Sequence, residues 1–124
     1  MQLAIVMRRD RLINFSTYTA SLKMIDGIGY WDTDVIPEDW RLFFKAFYTL
    51  QGRVSVEPIF LPIKADAAEA EGTWNTYQNQ YEQVKRWAWG VSDTPYVISR
   101  WITSTDVPFW EKTIRTLRVI EDHF

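Results

Sequence analysis

Apolar side chains recur at helical spacing in three stretches of this chain. Trp40, Phe43, Phe44, Phe47 and Leu50 form one stripe, and the spacing predicts a helix over 37–51. Pro37 suits a first helical position, Glu38 and Asp39 favour its positive end, and Gly52 is a natural stop. A second helix is expected from Thr73, as cap, to about Trp89, with Trp74, Tyr77, Tyr81, Val84 and Ala88 along one face. Gln80, Gln83 and Trp87 lie beside that face, and Gly90 ends the helix. A short helix follows Thr94-Pro95 around 96–102. A last one starts at 106–108 and runs towards Phe124, with Trp110, Ile114 and Leu117 on one side.

Other stretches read differently. Asn14–Ala20, polar, aromatic and β-branched, has the pattern of a strand. Ser21–Ile25 fits a short helix ended by Asp26-Gly27, and Tyr30–Ile36 a loop. Arg53–Ile63 reads as one or two extended pieces broken at Pro58 and Pro62. Lys64–Gly72 is an Ala/Glu-rich loop or weak helix. The expected fold class is α+β, mostly helical with two or three strands, in a single domain spanning 1–124.

Composition narrows the function. A net charge of −2 supplies no basic field, so a nucleic-acid partner is not expected. With no cysteine and one histidine, His123, neither a thiolate metal site nor a Ser-His-Asp triad is expected. The N-terminal MQLAIVMRRDR has its basic residues after a short apolar run, unlike a signal peptide. No apolar stretch approaches the ~20 residues of a transmembrane helix. Seven Trp, six Tyr and seven Phe are many for 124 residues, so some rings should face a sugar, a partner or a membrane rather than the core.

Three groups can carry chemistry. Asp32-Thr33-Asp34 is a DxD triplet, whose hard carboxylate oxygens could hold Mg2+ or Mn2+ or simply serve a solvated loop. Glu38 and Asp39 open an aromatic helix, where carboxylates commonly act as caps. Gln83, Arg86 and Trp87 form a QxxRW sequence and share one helical face. Glutamine can bond hydroxyls, arginine a phosphate, and an indole can stack on a sugar ring. On a solvated helix the same residues would do none of this.

Taken in order, GYWDTDVIPEDW and, about 45 residues on, QVKRWAWG resemble the C-terminal, acceptor-side half of the family-2 glycosyltransferases of the cellulose synthase and hyaluronan synthase kind. The resemblance spans roughly 15–90. The Thr-Glu-Asp motif of those enzymes stands here as Pro37-Glu38-Asp39, and QxxRW is complete. The resemblance implies that Asp39, beside Glu38, is the general base of an inverting transfer. Gln83, Arg86 and Trp87 would then bind acceptor and donor diphosphate. It places Asp32 and Asp34 before the acidic pair and not at the metal site, so no metal is assigned to this chain. Mg2+ or Mn2+ is expected only in a full-length enzyme. No alternating βα pattern precedes Asn14, so the nucleotide-binding half is missing and the chain should be inactive alone. The expected partners are a glycan or lipid-linked acceptor, and either the missing half or a second copy. A membrane surface is a further possible partner, with the full-length protein on the cytoplasmic side of the membrane. The alternatives are a non-catalytic glycan- or protein-binding module and an accessory subunit of a membrane complex.

Overall fold

A computed structural model describes residues 12–13, 17–62 and 72–123, apart from the side chains of Trp87, Asp122 and His123. Among the described residues five helices follow one another: α1 (Leu22–Gly27), α2 (Glu38–Thr49), α3 (Thr73–Ala88), α4 (Asp93–Thr103) and α5 (Phe109–His123), with a 3-10 turn over Trp89–Ser92. Among the described residues there is no strand. The fold is therefore helical, and the expected α+β class is corrected.

The segment after α2 shows why the strands fail to form. Exposed and half-buried positions alternate from Arg53 to Pro58. Half-buried Val54 and Val56 pack on the core. That period of two is what the sequence displays, but it records only an extended chain lying on an apolar surface. A strand needs a ladder partner, and none is described here; Pro58 and Pro62 also remove two donors. Residues 18–21 are likewise irregular, while Asn14–Ser16, Ile63–Glu71 and the first eleven residues lie outside the described set.

The core is built around α2. Leu42, Phe43, Phe44, Ala46, Phe47 and Tyr48 are all buried, more than one stripe can supply, so the helix is covered on two sides. On one side Phe43, Phe44, Phe47 and Tyr48 meet Val97 of α4, Val107 and Val119 of α5. Phe43 and Phe44 meet edge to face at 5.3 Å, as do Phe47 and Tyr48, a favourable ring geometry. On the other side Leu42 and Ala46 meet Ile25 and Ile28 at the end of α1. The chain leaves α2 through Gln51 (φ 55°) and Gly52 (φ 80°). The Gly52 amide returns to the Phe47 carbonyl at 2.8 Å, a left-handed C-terminal closure of the kind glycine favours.

Polar bonds hold the remaining helices in place. Lys112 Nζ donates to the carbonyls of Trp101 (2.8 Å) and Ser104 (2.6 Å), satisfying the open end of α4. Trp101 Nε1 donates to Thr113 Oγ1 at 3.0 Å. α5 turns a face to the core that differs from the one its apolar residues predict. Arg115, Thr116 and Val119 are buried, whereas Trp110 and Leu117 are exposed. Arg115 lies over the Phe43 and Phe47 rings at 5.0 Å each and donates to the Leu12 carbonyl. A cation seated on two rings thus takes a place that the hydrophobic pattern assigns to an aliphatic residue.

Candidate functional site

Glu38 and Asp39 form the first turn of α2, with Pro37 before them as N-cap. The Arg41 amide donates to the Pro37 carbonyl at 3.0 Å. Asp39 is half-buried and its charge lies near the Tyr18 hydroxyl. That hydroxyl in turn accepts the Trp31 indole N–H at 2.9 Å. Trp31 and Tyr18 thus form a bonded pair beside the carboxylate, on the side of the irregular segment. Burial, followed by the negative charges of Asp39 and Glu38, raises the Tyr18 phenol above its ordinary value, while the Trp31 bond works the other way. Tyr18 also lines a cleft of about 620 Å3, with Ser21, Met24, Phe43, Val56 and Glu57 among its other walls. It is mainly apolar, with hydroxyls and one carboxylate at its rim.

The DxD triplet has a structural account. Asp32 Oδ1 accepts from Lys45 Nζ at 2.7 Å, and Oδ2 lies 3.9 Å from the Arg41 guanidinium. Lys45 also donates to the carbonyl of Tyr30 at 3.0 Å. One lysine of α2 thereby pins the loop in which Gly29 and Tyr30 both adopt positive φ. Asp34 is exposed. Among the described residues no group of three His, Asp or Glu side chains is placed to hold a metal ion.

Gln83, Arg86 and Trp87 all fall on α3. Gln83 is half-buried and Arg86 exposed; the Trp87 side chain lies outside the described set. At about 100° per residue, Gln83 and Arg86 sit roughly 140° and 160° from the centre of the stripe Trp74, Tyr77, Tyr81, Val84 and Ala88. That stripe faces solvent: its first four members are 73%, 63%, 67% and 58% exposed. The described side chains of α3 that are even half-buried are Thr76 and Gln83, on the opposite side. The helix packs chiefly on the 3-10 turn that follows it. Among the described residues, no hydrogen bond or ion pair joins Gln83 or Arg86 to Glu38 or Asp39. The two motifs are thus each on a helix, and among the described side chains no bond joins them.

Sequence reasoning misses a third cluster. Asp93, at the start of α4, is fully buried. Arg41 reaches it with Nε at 2.7 Å and Nη2 at 2.6 Å, both to Oδ1. The same guanidinium lies 3.9 Å over the Tyr96 ring, and Arg100 lies 5.5 Å from it. This pair ties the catalytic-candidate end of α2 to the segment just after α3. Its only sequence signal is an acidic residue before Thr-Pro at a helix start, which reads as an ordinary cap.

No family model matches this chain, and neither a curated protein nor a solved structure matches it. No helix among the described residues is long and apolar enough to cross a membrane.

Proposed function

We propose that this chain is the acceptor-side portion of an inverting glycosyltransferase, inactive by itself, in which Asp39 deprotonates the acceptor hydroxyl. The observation that supports it most is the setting of Asp39. Its carboxylate stands in the first turn of α2 near the Tyr18 hydroxyl, which lines the cleft. A general base must be held within hydrogen-bond reach of the proton it takes, and a half-buried carboxylate next to a residue that lines an open cleft is placed for that need. Gln83 and Arg86 remain accessible on α3 for an acceptor hydroxyl and a diphosphate oxygen, with Trp87 next in the helix. The order of the two motifs along the chain adds to this. On this reading the donor-binding half, with its sheet and metal site, is supplied from outside the 124 residues.

In the transfer, the acceptor oxygen attacks the anomeric carbon as Asp39 takes its proton, and the diphosphate departs. Arg86, planar and permanently charged, counters the charge growing on the leaving oxygens. The test begins with the reading frame upstream of Met1, which should encode strand–helix repeats and a DxD. With that half joined, Asp39→Asn should cut transfer by about 10²–10⁴-fold and barely move the melting temperature, since the amide is isosteric with the carboxylate it replaces. Transfer at the unmutated rate would remove Asp39 from the chemistry.

A further inference from the structure

We infer that α3 is a self-pairing helix: two copies of this chain associate through the Trp74–Tyr77–Tyr81–Val84–Ala88 stripe, antiparallel, with Trp74 of each opposite Val84 of the other. The inference is independent of the transferase chemistry, because Gln83 and Arg86 point away from the stripe.

The spacing of the stripe is three, four, three and four residues. That is the a and d pattern of a coiled-coil seam, narrower than the band by which a helix joins a globular core. Its position is unusual, since the apolar side of α3 faces solvent and a polar side carries the half-buried residues. A 16-residue helix with two asparagines and three glutamines is marginal without tertiary support. Something must therefore cover the stripe.

Three observations point to a second copy. First, none of the five stripe residues is charged, so the stripe offers nothing to a charged partner; Lys85, the charged residue nearest to it, falls opposite Thr73 in the antiparallel register and meets no like charge. Second, the side-chain volumes are self-complementary in one direction. Antiparallel pairing sets the largest member, Trp74, against Val84, and Tyr77 against Tyr81. Parallel pairing would crowd two indoles into one layer and leave two valines in another, a poor fit for close packing. An isologous contact needs this kind of self-complementarity. Third, the area suffices. An aromatic side chain buries about 150–250 Å2; at the exposures observed, six rings contribute roughly 600–1,000 Å2. Val84 brings the total near the ~1,000 Å2 expected of a specific interface.

The absence of cysteine permits a direct test on the full chain. Trp74→Cys and Val84→Cys are each made singly, at positions exposed enough not to disturb the core, and oxidised alone and as an equimolar mixture. In the antiparallel pair the mixture should give a disulfide-linked heterodimer. Each variant alone should not, because its two cysteines would lie about 15 Å apart along the helix axis, beyond disulfide reach. Parallel pairing would reverse the pattern and overturn the proposal. Sedimentation of the unmodified chain supplies the second reading: a concentration-dependent dimer, with a dissociation constant raised at least tenfold by Tyr77→Glu, is expected. A monomer throughout the micromolar range, or a dimer indifferent to Tyr77→Glu, would overturn it. So would occupation of the stripe by a different protein to the exclusion of a second copy.

Discussion

At the scale of single residues, two buried polar groups set the stability of this protein against charge and pH. Asp93 is sealed from solvent and neutralised by Arg41. Removing one partner of a buried pair leaves the other charge without compensation, which costs about 3–5 kcal/mol. Arg41→Met should therefore lower stability by that amount in chemical denaturation, and the double variant Arg41→Met/Asp93→Leu should recover much of the loss. Failure of the double variant to recover would mean that the pair does more than compensate charge. Tyr48 behaves differently. Its hydroxyl is buried without a well-formed hydrogen bond; it lies near Thr116, whose own proton goes to the Lys112 carbonyl at 2.8 Å. Burial raises this phenol above 10.0, as it does that of Tyr18. A raised folded-state value means that the unfolded chain releases the proton first. The stabilising contribution is complete below pH 10 and lost as pH rises through and beyond it. Tyr48→Phe should be within about 1 kcal/mol of neutral at pH 7 and should soften the alkaline fall in melting temperature. An unchanged alkaline limb would show that Tyr48 does not titrate with unfolding.

At the scale of elements, the sequence is legible where one local rule governs. The limits of α2 follow from Pro37, Glu38, Asp39 and Gly52, and its buried Phe43, Phe44 and Phe47 are the predicted stripe. The limits of α3 likewise follow from its periodicity and from the small and glycine residues at its ends. Where the local pattern has two causes, the reading fails. Alternation across 53–58 describes both a paired strand and an extended segment resting on helices, and only tertiary contact separates them. The stripes of α3 and α5 identify helices correctly yet say nothing about which side the core will take. In α5 the core takes Arg115, Thr116 and Val119, because a guanidinium can sit on phenylalanine rings while its nitrogens bond a carbonyl. The motif residues were legible as types and spacings. Their surroundings were not: Tyr18 comes from 21 residues before Asp39, Trp31 from 13 residues after Tyr18 and Asp93 from 52 residues after Arg41, and no local pattern marks them.

At the scale of the whole molecule, the described fold supplies a half-buried carboxylate and a helix bearing Gln83 and an exposed Arg86, but no enclosure around them. An enzyme of the proposed kind must hold a nucleotide diphosphate against the acceptor and exclude water while the bond is exchanged. The cleft beside Tyr18 is open and largely apolar, and the described residues offer no metal site. The purified chain should accordingly release no nucleoside diphosphate from any nucleotide sugar, as followed by a coupled assay. Turnover that disappears in Asp39→Asn would show instead that the donor site is complete within these residues. On the proposed reading, with a donor half joined, Arg86 decides the second motif. Arg86→Lys keeps the charge but loses the planar fork, so an arginine that grips a diphosphate should lose at least roughly tenfold in kcat/KM, about 1.4 kcal/mol. Arg86 is exposed, so its replacement should change stability by less than about 0.5 kcal/mol, and a loss of rate cannot be charged to unfolding. Equal rates for arginine and lysine at this position would leave QVKRW as a solvated helix face. They would leave intact the pairing of α3 through its opposite side, which does not use Arg86.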